Sequence, residues 1–370
     1  MKPLVTFVIC LVLAAPAGAT APPQASSTLR SASRLSGLPI RHAVRTQSVS
    51  GRRYDALLAR AVAREYPPSL QRVDTVLYAR LGLTSRSVQR ESLHTSGAWY
   101  DATARRLLIR RGSGVARAPL INELVRALVD QNFGLRRLVG LRLRDRDRAV
   151  AGEAIVDGTA ALASRLRAKR LHGSPLDRFL QVEDGAGLGP GRALAAKLRY
   201  LGGMPALRTA LRTFPQTTEQ LLHIDKFLER ERALPVRLPQ RVGDARLTTA
   251  QTFGELDARG LLQAFRIAGA NVAAAGWGGG RIGLYTPGAG DATAALVLRW
   301  DSSEDASEWR DAFAGYVAAA FPVSTVRNCP PLDHCWSTTF ELAFGTLDQT
   351  TVFTSGPAAE AIAAALLAQP

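Results

Sequence analysis

Apolar residues recur at helical spacing in two early segments, Tyr54 to Glu65 and Leu70 to Leu81, with Pro67-Pro68 breaking the run between them. Ahead of them, from Thr20 to about Val49, no apolar period is sustained. That Ser-, Ala-, Pro- and Arg-rich stretch predicts a flexible lead-in, with order starting near Arg53. Gly97 to Asp101 and the alternating Arg106 to Arg110 read as strand, turn, strand, leading into a helix over Pro119 to Phe133. Pro119 suits a first helical turn and Gly134 a left-handed stop. Ile121, Leu124, Val125 and Leu128 supply that helix with a buried stripe. Asn122 and Arg126 lie one turn apart on a neighbouring face, with Glu123 beside them.

A second helix is expected from Asp147 to Lys169, with Glu153 and Asp157 on one face. Gly152 and Gly158 each cost about 1 kcal/mol in a helix interior, which makes sense where another helix approaches closely. The run Gly185 to Gly191 is glycine-rich but lacks the lysine of a phosphate loop, and it reads as a mobile loop. Gly202-Gly203-Met204 opens a helix towards Arg212, and Thr217 or Thr218 caps the segment after Pro215. A proline-punctuated link, Leu234 to Arg241, precedes an α+β region. There Phe253 to Ile267 and Glu304 to Ala320 read as helices, and Arg281 to Tyr285 and Ala294 to Trp300 as strands. Thr338 to Phe344 and Thr350 to Phe353 form a hairpin pattern, and Pro357 to Leu367 an alanine-rich helix.

The chain opens with Lys2, an apolar run from Leu4 to Ala15 and the small residues Ala17-Gly18-Ala19, the three-part form of a cleavable export signal. The predicted organisation is therefore a signal over 1–19, a lead-in over 20–50, a first domain over 51–240 and an α+β region over 241–370. No second apolar segment reaches membrane length, so no transmembrane anchor is expected. Past the signal only Cys329 and Cys335 remain, and in an oxidising compartment such a pair is expected to close as a disulfide. A metal site using both with His334 is the alternative, which lacks a fourth ligand.

The formal charge is +16, carried almost wholly by arginine. Residues up to Arg212 hold 35 basic and 14 acidic side chains, the remainder 12 and 17. A basic first half facing an anionic cell-envelope surface is one reading and a solvated arginine surface is the other; no nucleic acid is expected.

Several segments agree, in order, with one family. Asn122-Glu123-Leu124-Val125-Arg126-Ala127-Leu128-Val129-Asp130-Gln131-Asn132-Phe133 resembles the helix HELxHALxDQxF of secreted bacterial zincin-like metallopeptidases of the gluzincin type. Ala154-Ile155-Val156-Asp157-Gly158-Thr159-Ala160 is similar to the later ALVEGDA pattern that supplies their third ligand. PQTTEQLLHIDKF (Pro215 to Phe227), FGELDARGLL (Phe253 to Leu262) and AAGWGGGRIGLY (Ala274 to Tyr285) also look like family segments, so the resemblance covers most of Tyr54 to Tyr316. It implies an α+β fold: a zincin-like core built on a motif helix and a ligand-type helix, with a C-terminal α+β region.

In that family two histidines and a glutamate hold zinc, which activates a water, and the motif glutamate handles protons. Here Asn122 and Arg126 stand at the histidine positions and Asp157 at the glutamate, while Glu123 persists. The family's Asp after Trp-Gly-Gly is Gly280, and the Asp after the second-helix glycine is Thr159. A guanidinium stays protonated, offers no lone pair and repels a divalent ion. No catalytic residue and no cofactor are therefore expected, the degenerate site being Asn122, Glu123, Arg126 and Asp157. An Arg126 to Asp157 ion pair, with Glu123 or Glu153 nearby, is expected to replace the metal. The competing reading makes Asn122, Glu123 and Arg126 the solvated face of an ordinary amphipathic helix.

The functional expectation is an exported, catalytically inactive homologue that binds a peptide or protein. Two alternatives stand beside it: a divergent active metallopeptidase with non-standard ligands, and an arginine-rich binder of anionic surfaces.

Overall fold

The structure, a computed structural model, describes residues 23–83, 97–169, 173–182, 189–287, 290–322 and 324–369. The expected export signal, His94, His172 and positions 185–188 of the glycine-rich run lie outside the described residues. The first half runs through α1 (Pro23–Ser36), β1 (Arg45–Val49), α2 (Gly51–Glu65), α3 (Pro68–Arg80), β2 (Ala98–Asp101), β3 (Arg106–Arg110) and α4 (Arg117–Phe133). After α4 come α5 (Arg146–Lys169), α6 (Gly173–Val182), α7 (Pro190–Thr213), α8 (Thr218–Leu222) and α9 (Ile224–Glu229).

The expectation of a flexible lead-in over 20–50 is corrected: from Pro23 this stretch is helix and strand. α1 contributes Leu29 and Ala32 to the core that α4, α5 and α7 also build, and β1 pairs in parallel with β3 in a sheet ordered β1-β3-β2. The buried positions of α1 are Leu29 among the small or polar Thr28, Ala32 and Ser36, so the helix leaves little apolar period to read. The expectation of a mobile loop up to Gly191 is corrected at its end, where Pro190 sits in the first turn of α7 and needs no donor there.

Close helix approach explains the glycines of α5. A Cβ on Gly158 would lie 2.0 Å from the Gly191 carbonyl carbon, and one on Gly191 would lie 1.8 Å from the Ala154 oxygen. At Gly152 the neighbour is Leu138, 2.6 Å from such a Cβ. Farther along α7, Gly202 and Gly203 interrupt the helix, Gly203 taking φ 60°.

The second half starts at β4 (Arg241–Val242) and β5 (Ala245–Thr252), followed by α10 (Glu255–Ala264), α11 (Ala270–Ala273), β6 (Trp277–Thr286) and β7 (Thr293–Trp300). Then come α12 (Ser303–Ala320), β8 (Thr325–Cys329), β9 (Leu332–Ser337), β10 (Glu341–Leu347), β11 (Thr350–Ser355) and α13 (Ala359–Leu367). Its strands form one antiparallel sheet, β4-β5-β6-β7-β11-β10-β9-β8. One face carries α10, α11 and α12 through Leu262, Trp309 and Phe313. The other carries α13 through Ile362 and Leu366. Because helices cover both faces, the central strands β6 and β7 are buried almost throughout.

α3 leaves the first half to pack Leu77 and Leu81 into the core beneath α12, where the Tyr316 hydroxyl donates to the Leu81 carbonyl at 2.7 Å. Cys329 and Cys335 form a disulfide across the β8–β9 hairpin. The stretch NCPPLDHC is therefore mostly strand, with its turn at Pro330-Pro331. No helix among the described residues is long and apolar enough to cross a membrane.

Candidate functional site

The buried stripe of α4 is as predicted, with Ile121, Leu124, Val125 and Leu128 at 1 % exposure or less. Its neighbouring polar positions meet α5. The Arg126 guanidinium donates through Nη1 to Asp157 Oδ1, so the structure joins the two residues that the sequence pattern placed on separate helices. Asn122 Oδ1 instead accepts from the Ser164 hydroxyl at 2.5 Å. Glu153 accepts from Arg142 at 2.8 Å and reaches Arg126 only through its field.

Glu123 is 5 % exposed, and its Oε2 accepts from the Tyr100 backbone N–H of β2 at 2.7 Å. That burial corrects the reading of Asn122, Glu123 and Arg126 as a solvated face. Burial raises the Glu123 carboxyl to about 7, against the pull of Arg126 and of the Tyr100 N–H; Asp157 adds a smaller rise. For Arg126, burial works against the charge, but Asp157, Glu123 and Glu153 outweigh it and hold the guanidinium protonated. Below them Tyr100 donates its hydroxyl to Asp130 at 2.7 Å, and Asp130 takes the Leu135 N–H at 2.7 Å.

The donor set does not suit zinc. The Asn122 carbonyl is engaged by Ser164, and a cation already occupies the Asp157 carboxylate. A second positive charge there meets repulsion and no lone pair from Arg126.

The three downstream segments marked by resemblance converge on a second polar centre, between the helical half and the sheet. Lys226 donates to Glu219 and Asp301 at 2.5 Å each and to Glu231 at 2.9 Å. These three carboxylates have the mutual spacing of cation ligands, and the ammonium sits among them. Glu219 is fully buried, and burial raises it to about 8 against the pull of Lys226. Beside it His223 Nε2 lies 2.8 Å from Glu255 Oε1. That hydrogen bond raises the imidazole pKa, while burial raises the carboxyl.

Asp147, at the start of α5, accepts the Thr218 N–H at 3.0 Å and its hydroxyl at 2.5 Å, with burial raising it to about 7. Gly254 must be glycine here, because a Cβ would meet Asp147 Oδ1 at 1.7 Å. Thr217 caps α8 through Gln220 N. Trp277 packs at 2 % exposure and donates to the Phe253 carbonyl at 3.0 Å. Gly280 has no space for an aspartate, since a Cβ there would lie 2.4 Å from that same carbonyl. Thr159 turns its hydroxyl back to Ile155 O.

Sequence reasoning marked by resemblance the segments that carry Glu219, His223, Lys226 and Glu255 but missed Glu219, Lys226, Glu255 and Asp301 as a cluster. The available signal was that the resembling segments share an order. Of the other described histidines, His42 lies against Gln131 of α4 and the His334 ring lies tilted beside Trp336 in β9. His334 is no ligand partner for the cysteines, whose sulfurs are bonded to each other.

A family model described as a domain of unknown function (DUF8575) matches residues 240–365, the span of the eight-stranded sheet and α13. No curated protein and no solved structure matches the chain.

Proposed function

We propose that this chain is an exported, non-catalytic zincin-like protein that binds a peptide or protein along the seam of α4 and α5. The observation that carries the reading is the Arg126–Asp157 pair, which places a permanent monovalent cation where a peptidase of that type needs an exchangeable divalent one. Glu123 supports it: a general base must reach a water, whereas this carboxylate is buried and holds the Tyr100 N–H. Asp157 keeps 61 % of its side chain exposed, so the seam retains an accessible polar surface for a ligand.

The test is elemental analysis of the purified full chain after zinc loading, alongside calorimetric titration with tryptic peptides of casein. The expected result is no stoichiometric zinc, no cleavage, and peptide binding that Arg126→Ala or Asp157→Ala weakens. Stoichiometric zinc that disappears in Asp157→Ala would overturn the proposal in favour of an active metallopeptidase with unusual ligands.

A further inference from the structure

Between α4 and α5 the chain makes two short 3-10 turns, Leu135–Arg137 and Leu141–Leu143. With the end of α7 they border a half-open cavity of about 420 Å³ whose polar rim is Arg137, Arg144, Asp145 and Arg148 and whose apolar wall includes Leu138, Leu141 and Phe214. Two other arginines of this stretch are paired: Arg142 with Glu153 at 2.8 Å, and Arg146 with Asp74 and Asp257 at 3.6 and 3.8 Å. Arg137, Arg144 and Arg148 differ. Among the described residues, none of the three has a carboxylate within ion-pair distance.

Arg137 is nonetheless held in place. Its Nη2 donates to the Leu211 carbonyl at 2.9 Å and its guanidinium lies 4.0 Å from the Phe214 ring centroid. Phe214 ends α7 at φ 52°, the left-handed region that bulky residues avoid, and so brings its ring under Arg137. The field of Arg148 adds to burial in lowering the Arg137 pKa, which places these like charges within reach of each other. Asp145 is committed elsewhere, its Oδ1 accepting the Arg148 N–H at 3.2 Å and the Thr252 hydroxyl at 3.1 Å.

We infer that this cavity binds a small organic phosphate, with Arg137, Arg144 and Arg148 on the phosphate and the organic part against Leu138, Leu141 and Phe214. Three guanidiniums and one carboxylate leave a formal lining charge of +2, which a phosphate monoester carrying about −1.5 to −2 neutralises. The planar fork of arginine matches phosphate oxygens in pairs. The volume lies within the ~300–1,000 Å³ of small-molecule sites and exceeds what a bare anion fills. This site is separate from the α4–α5 seam, and the inference stands without the reading given to that seam.

The test uses the full chain and three probes: inorganic phosphate, glycerol phosphate, and vesicles of phosphatidylcholine with or without phosphatidic acid. Calorimetry is expected to give saturable binding of glycerol phosphate, at least tenfold weaker in Arg144→Ala/Arg148→Ala. Arg237→Ala/Arg241→Ala should leave it unchanged. Both cavity arginines are exposed, so the fold should survive, and Arg144→Lys/Arg148→Lys checks that charge alone recovers only part of the affinity. Sedimentation with phosphatidic acid vesicles that free phosphate displaces would identify a lipid headgroup as the source and support the site. The inference is overturned if no probe binds, or if the cavity pair and the control pair lose binding equally.

Discussion

Replacing Arg126 by methionine separates the charge of the guanidinium from the packing of its stem. At pH 5 Glu123 is mostly protonated in the fold, since burial holds its carboxyl near 7. Arg126 then interacts chiefly with Asp157, whose side chain is 61 % exposed. A pair screened to that extent contributes at most about 1 kcal/mol. At pH 8.5 the balance changes: Glu123 is ionised and buried in the wild type, and the guanidinium one turn along α4 is what makes that tolerable. At ~6 Å and an effective dielectric of ~20 the attraction is about 3 kcal/mol.

Removing Arg126 raises the Glu123 pKa further, and each unit of that rise removes about 1.4 kcal/mol of stability once the pH exceeds it. The sign follows from proton counting. A carboxyl whose folded pKa is raised binds more protons folded than unfolded, so its contribution is full below the unfolded pKa and is lost as pH climbs through the folded one. Urea unfolding followed by circular dichroism at pH 5 and pH 8.5 is therefore expected to give a destabilisation of about 1 kcal/mol at the lower pH and about 3–4 kcal/mol at the higher. Adding Glu123→Gln to Arg126→Met should flatten that difference. Equal destabilisation at the two pH values would refute the coupling and leave Arg126 a surface residue paired only with Asp157.

Three further outcomes are expected. Gly158→Ala puts a methyl into the Gly191 backbone and should lower stability by about 1–3 kcal/mol despite the better helix former; a melting temperature at or above that of the wild type would contradict the tight α5–α7 contact. The His223 ring should titrate above its ordinary value by NMR, because Glu255 accepts its hydrogen bond, and Glu255→Gln should bring the midpoint back down. Cys329→Ala/Cys335→Ala opens a link of sequence separation 6 and should cost about 2 kcal/mol in guanidinium unfolding, with no change if β8–β9 pairing alone fixes the hairpin.

What the sequence made legible was whatever repeats locally. The stripe Ile121, Leu124, Val125, Leu128 announced α4, and Gly152 with Gly158 announced a close neighbour for α5. Polar or edge strands were not legible. β5 is ARLTTAQT, half-exposed along most of its length, and β8 is exposed at Thr325 to Asn328, so neither alternates in hydropathy. β1 was hidden for a different reason, since its pairing partner β3 lies some sixty residues later and register between distant strands leaves no local mark. The candidate residues fared similarly. Arg126 and Asp157 were found because the resemblance put them at two ligand positions of one site, but Lys226 and Asp301 meet only through tertiary packing of a helix against a strand end.

The two polar centres solve one problem in the same way, and this predicts the acid–base behaviour of the whole fold. Glu123, Asp147 and Glu219 are each 5 % exposed or less. Glu123 and Glu219 each face a single positive charge, Arg126 and Lys226, and Asp147 accepts two hydrogen bonds from Thr218. Neither a monovalent partner nor a pair of hydrogen bonds offsets all of the desolvation, which is why the three carboxyls lie near 7, 7 and 8. Each therefore favours folding most when protonated, and the raised His223 imidazole acts in the same direction. The melting temperature should then be higher at pH 5.5 than at pH 8.5, falling most steeply between about 5 and 7, where the unfolded chain has lost protons that the fold still holds, and levelling towards 8.5; Glu219→Gln should reduce the fall. A melting temperature that rises over that interval would mean that some stronger positive charge presses these carboxyls down, and neither Arg126 nor Lys226 has that strength.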